Sequence, residues 1–67
     1  MKEHKLLDGI KAELELKNDA ALARLLKVQP AVISKLRAGR LPVTAETMLR
    51  IHDMLGWEIK KIRGYMA

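Results

Sequence analysis

Apolar residues recur at spacings of three and four from the start of the chain. Leu6, Leu7, Ile10 and Leu14 fall on one face of a helix from about Glu3 to Leu16, in which Gly9 is a weak point. Lys17 and Asn18 interrupt that stripe, and the Asn18 side chain can accept a backbone N–H, so it suits the N-cap of a second helix starting at Asp19. This second helix is short, because Leu22, Ala23 and Leu26 are followed at once by Lys27, Val28, Gln29 and Pro30. Proline breaks a helix interior but fits its first position, so a third helix opens at Pro30. It buries Ile33 and Leu36 and stops near Ala38, where Gly39 supplies a left-handed residue. After the connector Leu41, Pro42 and Val43, Thr44 caps a fourth helix over Ala45 to Leu55, with Met48, Ile51, His52 and Leu55 as its inner stripe, Leu49 beside it and Gly56 closing it. Ile59, Ile62 and Met66 repeat at helical spacing in the tail and predict a fifth helix.

Composition adds limits to this all-α reading. The chain has 67 residues, enough for one domain spanning 1–67 and a core too small for a wide stability margin, so a partner subunit would help. Leu, Ala, Lys, Glu and Arg dominate, which favours helix. There is no cysteine, and His4 and His52 lie far apart, so no disulfide, no thiolate zinc site and no cofactor are expected. Neither a secretory signal nor a membrane-spanning stretch is present, which makes the cytoplasm the expected location.

The net charge of +5 is concentrated in the middle of the chain. Residues 17–40 carry Lys17, Arg24, Lys27, Lys35, Arg37 and Arg40 against Asp19 alone, whereas the flanking segments nearly balance. Such a local excess is either a solvated face or a field suited to a polyanion, with nucleic acid the first choice and an acidic protein the second.

Two short helices around a tight turn, with small and apolar residues at fixed offsets, describe a helix-turn-helix unit. Ala23 permits close approach of the second helix to the third, and Leu22, Leu26, Val28, Ile33 and Leu36 form a wedge between them. The third helix then presents Gln29, Pro30, Ala31, Ser34 and Lys35 outward, flanked by Arg37 and Arg40.

The stretch Lys17 to Gly39, KNDAALARLLKVQPAVISKLRAG, resembles the helix-turn-helix of the lambda repressor and Cro-like family, and LPVTAETMLRIHDMLGW is similar to that family's fourth helix. The resemblance implies a compact five-helix domain and a phage or bacterial transcriptional regulator that binds a palindromic operator as a dimer. It places Gln29, Pro30, Ala31, Ser34 and Lys35 at base edges in the major groove, with Lys35 facing guanine and Ala31 or Pro30 a thymine methyl. Lys17, Asn18, Arg37, Gly39 and Arg40 match the positions that hold phosphates, which set register rather than read sequence. Four positions depart from the family pattern: Pro30 and Ala31 stand where relatives often carry glutamine or serine, which shifts weight towards DNA shape. Asp19 replaces a frequent glutamine and would repel phosphate unless turned away, and Lys27 stands at a turn position often held by glycine, at a cost of about 1 kcal/mol if left-handed.

An enzyme is not expected. Ser34 has no base and orienting acid arranged around it, His52 reads as a core or boundary residue, and Met48 and Met54 read as packing. Trp57, Ile59, Ile62, Tyr65 and Met66 read as a homodimer interface, with packing beneath the first helix as the alternative. Lys60, Lys61 and Arg63 form either a solvated face or a further phosphate contact. The competing functional reading is a protein-binding adaptor or antitoxin-like partner using the same fold and basic face.

Overall fold

The computed structural model describes residues 3–66 and consists, among these, of five helices and no strand: α1 (Lys5–Glu13), α2 (Asp19–Leu26), α3 (Pro30–Arg37), α4 (Ala45–Leu55) and α5 (Ile59–Met66). Local chemistry starts each of the first four where the pattern changes. His4 Nδ1 accepts the Leu7 N–H, Asn18 Oδ1 accepts the Ala21 N–H and Thr44 Oγ1 accepts the Thr47 N–H, so three helix N-termini carry side-chain caps. α3 has none and opens instead on Pro30, which has no N–H to satisfy.

α1 to α3 end alike. A left-handed residue lets its own N–H and that of the next residue turn back onto the last helical carbonyls, as in the Leu16 N–H to Lys11 bond of 2.9 Å, the Val28 to Ala23 bond of 3.0 Å and the Arg40 to Lys35 bond of 2.9 Å. The left-handed positions are Glu15 (φ 54°), Lys27 (φ 56°) and Gly39 (φ 75°). Lys27 thus adopts the strained conformation anticipated for it. Glu15 departs from expectation: the stripe ending at Leu14 predicts a helix to about Leu16, but α1 stops at Glu13 and Leu14 is left 39% exposed.

The core gathers Leu6, Leu7 and Ile10 of α1, Leu22, Ala23 and Leu26 of α2, Ile33 and Leu36 of α3, Ile51 of α4, Trp57 and Ile62. α1 packs on α2 and α5, α2 on α3 and α4, and α4 on α5. α3 alone has a single close backbone neighbour, α2. The α4 stripe is narrower than expected: Met48 and Leu55 are half-buried, Leu49 is 54% exposed, and His52, one helical step beyond Ile51, is turned outside. His52 is therefore no core residue; its Nδ1 lies 2.7 Å from the Trp57 carbonyl and ties the end of α4 to the connector.

α5 docks through aromatic contacts. The Trp57 and Tyr65 rings stack at 5.7 Å, Lys61 Nζ sits 4.2 Å from the Trp57 ring centre, and the same ammonium bonds Glu13 on α1 at 2.8 Å. The Tyr65 hydroxyl also donates to Glu13, and its ring lies so close over Gly9 that a β-carbon there would collide with it. The residue that weakens α1 as a helix is thus the one that admits α5.

Candidate nucleic-acid interface

α3 is amphipathic by construction. Ile33 and Leu36 point into the core with Val32 at its edge, and the remaining turn surface belongs to Gln29, Pro30, Ala31, Ser34 and Lys35, all exposed. The five residues expected at base edges therefore share one open surface, with Lys35 outside every ion pair formed among the described residues. Its two ends are flanked in sequence by exposed polar groups. Lys17 and Asn18 precede α2, and Gly39 and Arg40 follow α3. Asn18 uses its carbonyl oxygen as the cap, which leaves its amide N–H groups to donate elsewhere.

Arg37, expected at a phosphate, is placed otherwise. It is 8% exposed, and its guanidinium grips both oxygens of Asp19 (Nε to Oδ2 2.5 Å, Nη2 to Oδ1 2.9 Å) while Nη2 also reaches Asp8 Oδ1 at 2.6 Å. Lys11 Nζ lies 3.2 Å from Asp19 Oδ1. A guanidinium sunk among carboxylates does not offer itself to a phosphate, so Arg37 leaves the phosphate set. The same contacts hold both carboxyls below the usual aspartate range, through the Arg37 hydrogen bonds first, and hold the guanidinium protonated. They also answer the question that Asp19 posed, since its charge is neutralised within the fold.

The consequence for the field is direct. Within residues 17–40 the buried Arg37 and the paired Asp19 cancel, and the other five cations, Lys17, Arg24, Lys27, Lys35 and Arg40, are all exposed. Arg24 and Lys27 were counted in the charge of this segment but not assigned a role; their signal is that no acid in the segment is left to offset them.

The predicted dimer surface is largely internal. Trp57 and Ile62 are buried in the domain's own core, Ile59 and Tyr65 are half-buried against it, and only Met66, 42% exposed, stands at the surface. The physical reason is that a basic helix this short must bury its few apolar residues on α1 and α4 to be held at all. Trp57 and Ile62 are therefore withdrawn as interface residues. His4 is a group that sequence reasoning passed over. Burial, followed by the nearby Arg37 charge, depresses its pKa below the ordinary value of 6.5, and its neutral ring serves as the α1 cap.

No group of three or more His, Cys, Asp or Glu able to hold a metal occurs among the described residues, and no helix among them is long and apolar enough to cross a membrane. No family model matches the chain, and no curated protein or solved structure was found to match it.

Proposed function

We propose that this domain binds duplex DNA with sequence preference and acts as a transcriptional regulator, with α2 and α3 forming a helix-turn-helix of the lambda repressor and Cro-like kind. The observation that carries the reading is the open face of α3, in a segment, residues 17–40, that has five exposed cations and whose one acid, Asp19, is paired. In this arrangement Lys35 and Ser34 donate to base edges, Pro30 and Ala31 supply apolar contact to a thymine methyl, and Lys17, Asn18, Arg40 and the N–H groups around Gly39 hold phosphates. Helix thickness suits the role: an α-helix with its side chains is about 10–12 Å across, which the major groove, about 12 Å wide, admits.

The test is binding of short duplexes across a salt series. Affinity falls steeply with salt if several phosphates are neutralised, since each releases counterions. Lys35→Ala relaxes base preference, and Arg40→Ala weakens all sequences alike and reduces the salt slope by about one. Salt-independent binding, or none at low salt, contradicts the proposal. Pro30 and Ala31, exposed where hydrogen-bonding side chains would read bases, favour the second reading, a protein partner with an acidic surface. Protection of α3 by such a partner, without duplex binding, would establish it.

A further inference from the structure

α3 carries the candidate reading face, yet it has the fewest helical neighbours. Its backbone closely approaches only α2, and on the α4 side an apolar groove of about 300 Å³ remains between Val32, Leu36, Leu41 and Ile51. Aliphatic contacts along one side are non-directional, so the direction of a short helix is fixed more sharply where a directional contact is added. Directional restraint enters at its last residue. The Arg37 guanidinium meets Asp19 in a planar two-point fork and extends to Asp8, so one side chain ties the C-terminal turn of α3 to α2 and to α1, whose backbone α3 does not approach.

We infer that Arg37 is a positioning residue for base reading: it sets the direction of α3, and with it Ser34 and Lys35, before the duplex arrives. Ser34 and Lys35 lie in the turn that precedes Arg37 in the same helix, so a tilt at the clamp moves them directly. The charges argue for geometry rather than attraction. Arg37 and Lys11 balance Asp8 and Asp19, so the cluster adds no net charge to the field that a polyanion meets. A direct phosphate contact would instead require an exposed, unbalanced guanidinium.

The inference rests on the DNA-binding reading, and the experiment separates the two. Arg37→Lys keeps the net charge but removes the fork, and Asp8→Asn weakens the tie to α1 by taking the charge from the acceptor and leaves the Asp19 fork in place. Discrimination between a selected duplex and a single-base variant is measured together with the salt slope, and the direction of α3 relative to α1 and α2 is read from residual dipolar couplings of the free protein. The expected result for folded Arg37→Lys is a loss of about tenfold in discrimination at an unchanged salt slope, with a changed or averaged α3 direction. Asp8→Asn shows a smaller loss of the same kind. Wild-type discrimination and direction in both variants overturn the inference. So does a salt slope reduced by about one in a charge-removing Arg37→Gln variant, which marks a phosphate contact that lysine would preserve. If the unmodified domain shows no base preference, the DNA reading fails, and the dipolar couplings still decide whether Arg37 aims the helix.

Discussion

α3 and α5 are both eight-residue basic helices, and the fold treats them in opposite ways. α5 lies against two neighbours, α1 and α4, with Ile62 fully enclosed and Tyr65 laid over Gly9. One of its cations is committed within the molecule, Lys61 being shared between Glu13 and the Trp57 ring. α3 has one close backbone neighbour, turns a single cation inward, and leaves Lys35 and the adjacent Arg40 open. Lys60 and Arg63 of α5 are exposed as well and lie outside the ion pairs formed among the described residues, so open charge does not by itself distinguish these helices; packing does. The C-terminal helix is held by two neighbours, and the middle of the chain carries the larger group of exposed cations, Lys17, Arg24, Lys27, Lys35 and Arg40.

The comparison breaks most visibly if the α5 anchor is removed. Ile62→Ala creates a void at a fully buried position and costs about 2–5 kcal/mol, a large fraction of the stability of a domain this small. Circular dichroism melts should show it largely unfolded or with a much lower midpoint, whereas Lys35→Ala melts like the parent. Equal melts for both would mean that α5 is not an anchor.

Gly9→Ala sharpens the same contrast at smaller scale. Alanine raises helix propensity by about 1 kcal/mol, but its methyl group enters the space of the Tyr65 ring, and overpacking of this kind costs about 1–3 kcal/mol. The expected net effect is destabilisation of about 1 kcal/mol, reversing to stabilisation when Tyr65 is also changed to Leu. Stabilisation by Gly9→Ala alone would show that α5 does not lean on α1 there.

Acid gives the smallest effect and separates the His4 cap from the Arg37 clamp. The folded state holds the His4 pKa below 6.5, so its contribution is full above that value and declines as pH falls through the folded pKa, the unfolded chain taking up the proton first. A protonated ring cannot accept the Leu7 N–H. Asp8 and Asp19, held below their ordinary 3.8, lose their contribution only at more acid pH. Urea midpoints should therefore fall in two steps, and His4→Asn, which caps in one charge state, should remove the first. An unchanged first step in that variant assigns it elsewhere.

Much of this fold is legible in local chemistry. Asn18, Pro30 and Thr44 mark helix starts, and Gly39 and Gly56 mark stops, because capping depends on residues within one turn. What was misread depends on distant partners. α1 ends at a left-handed Glu15 that no glycine announces. Arg37 looks like another surface cation until Asp8, 29 residues earlier, is folded beside it. Trp57 and Ile62 read equally as interface or core from spacing alone, and their burial beneath α1 and α4 is a matter of tertiary packing. The open face of α3 is legible for the opposite reason: exposure follows from helical period once Ile33 and Leu36 are inside.

The central claim is that α3, and not α5, is the face that duplex DNA meets. Amide chemical shifts of the labelled domain, followed while a duplex from a random-pool selection is added at low salt, test it directly. The account predicts the largest changes at Gln29, Ala31, Ser34 and Lys35, smaller ones at Lys17, Asn18, Gly39 and Arg40, and little at Lys60 to Arg63. Changes centred on Lys60, Lys61 and Arg63 with α3 silent would contradict it.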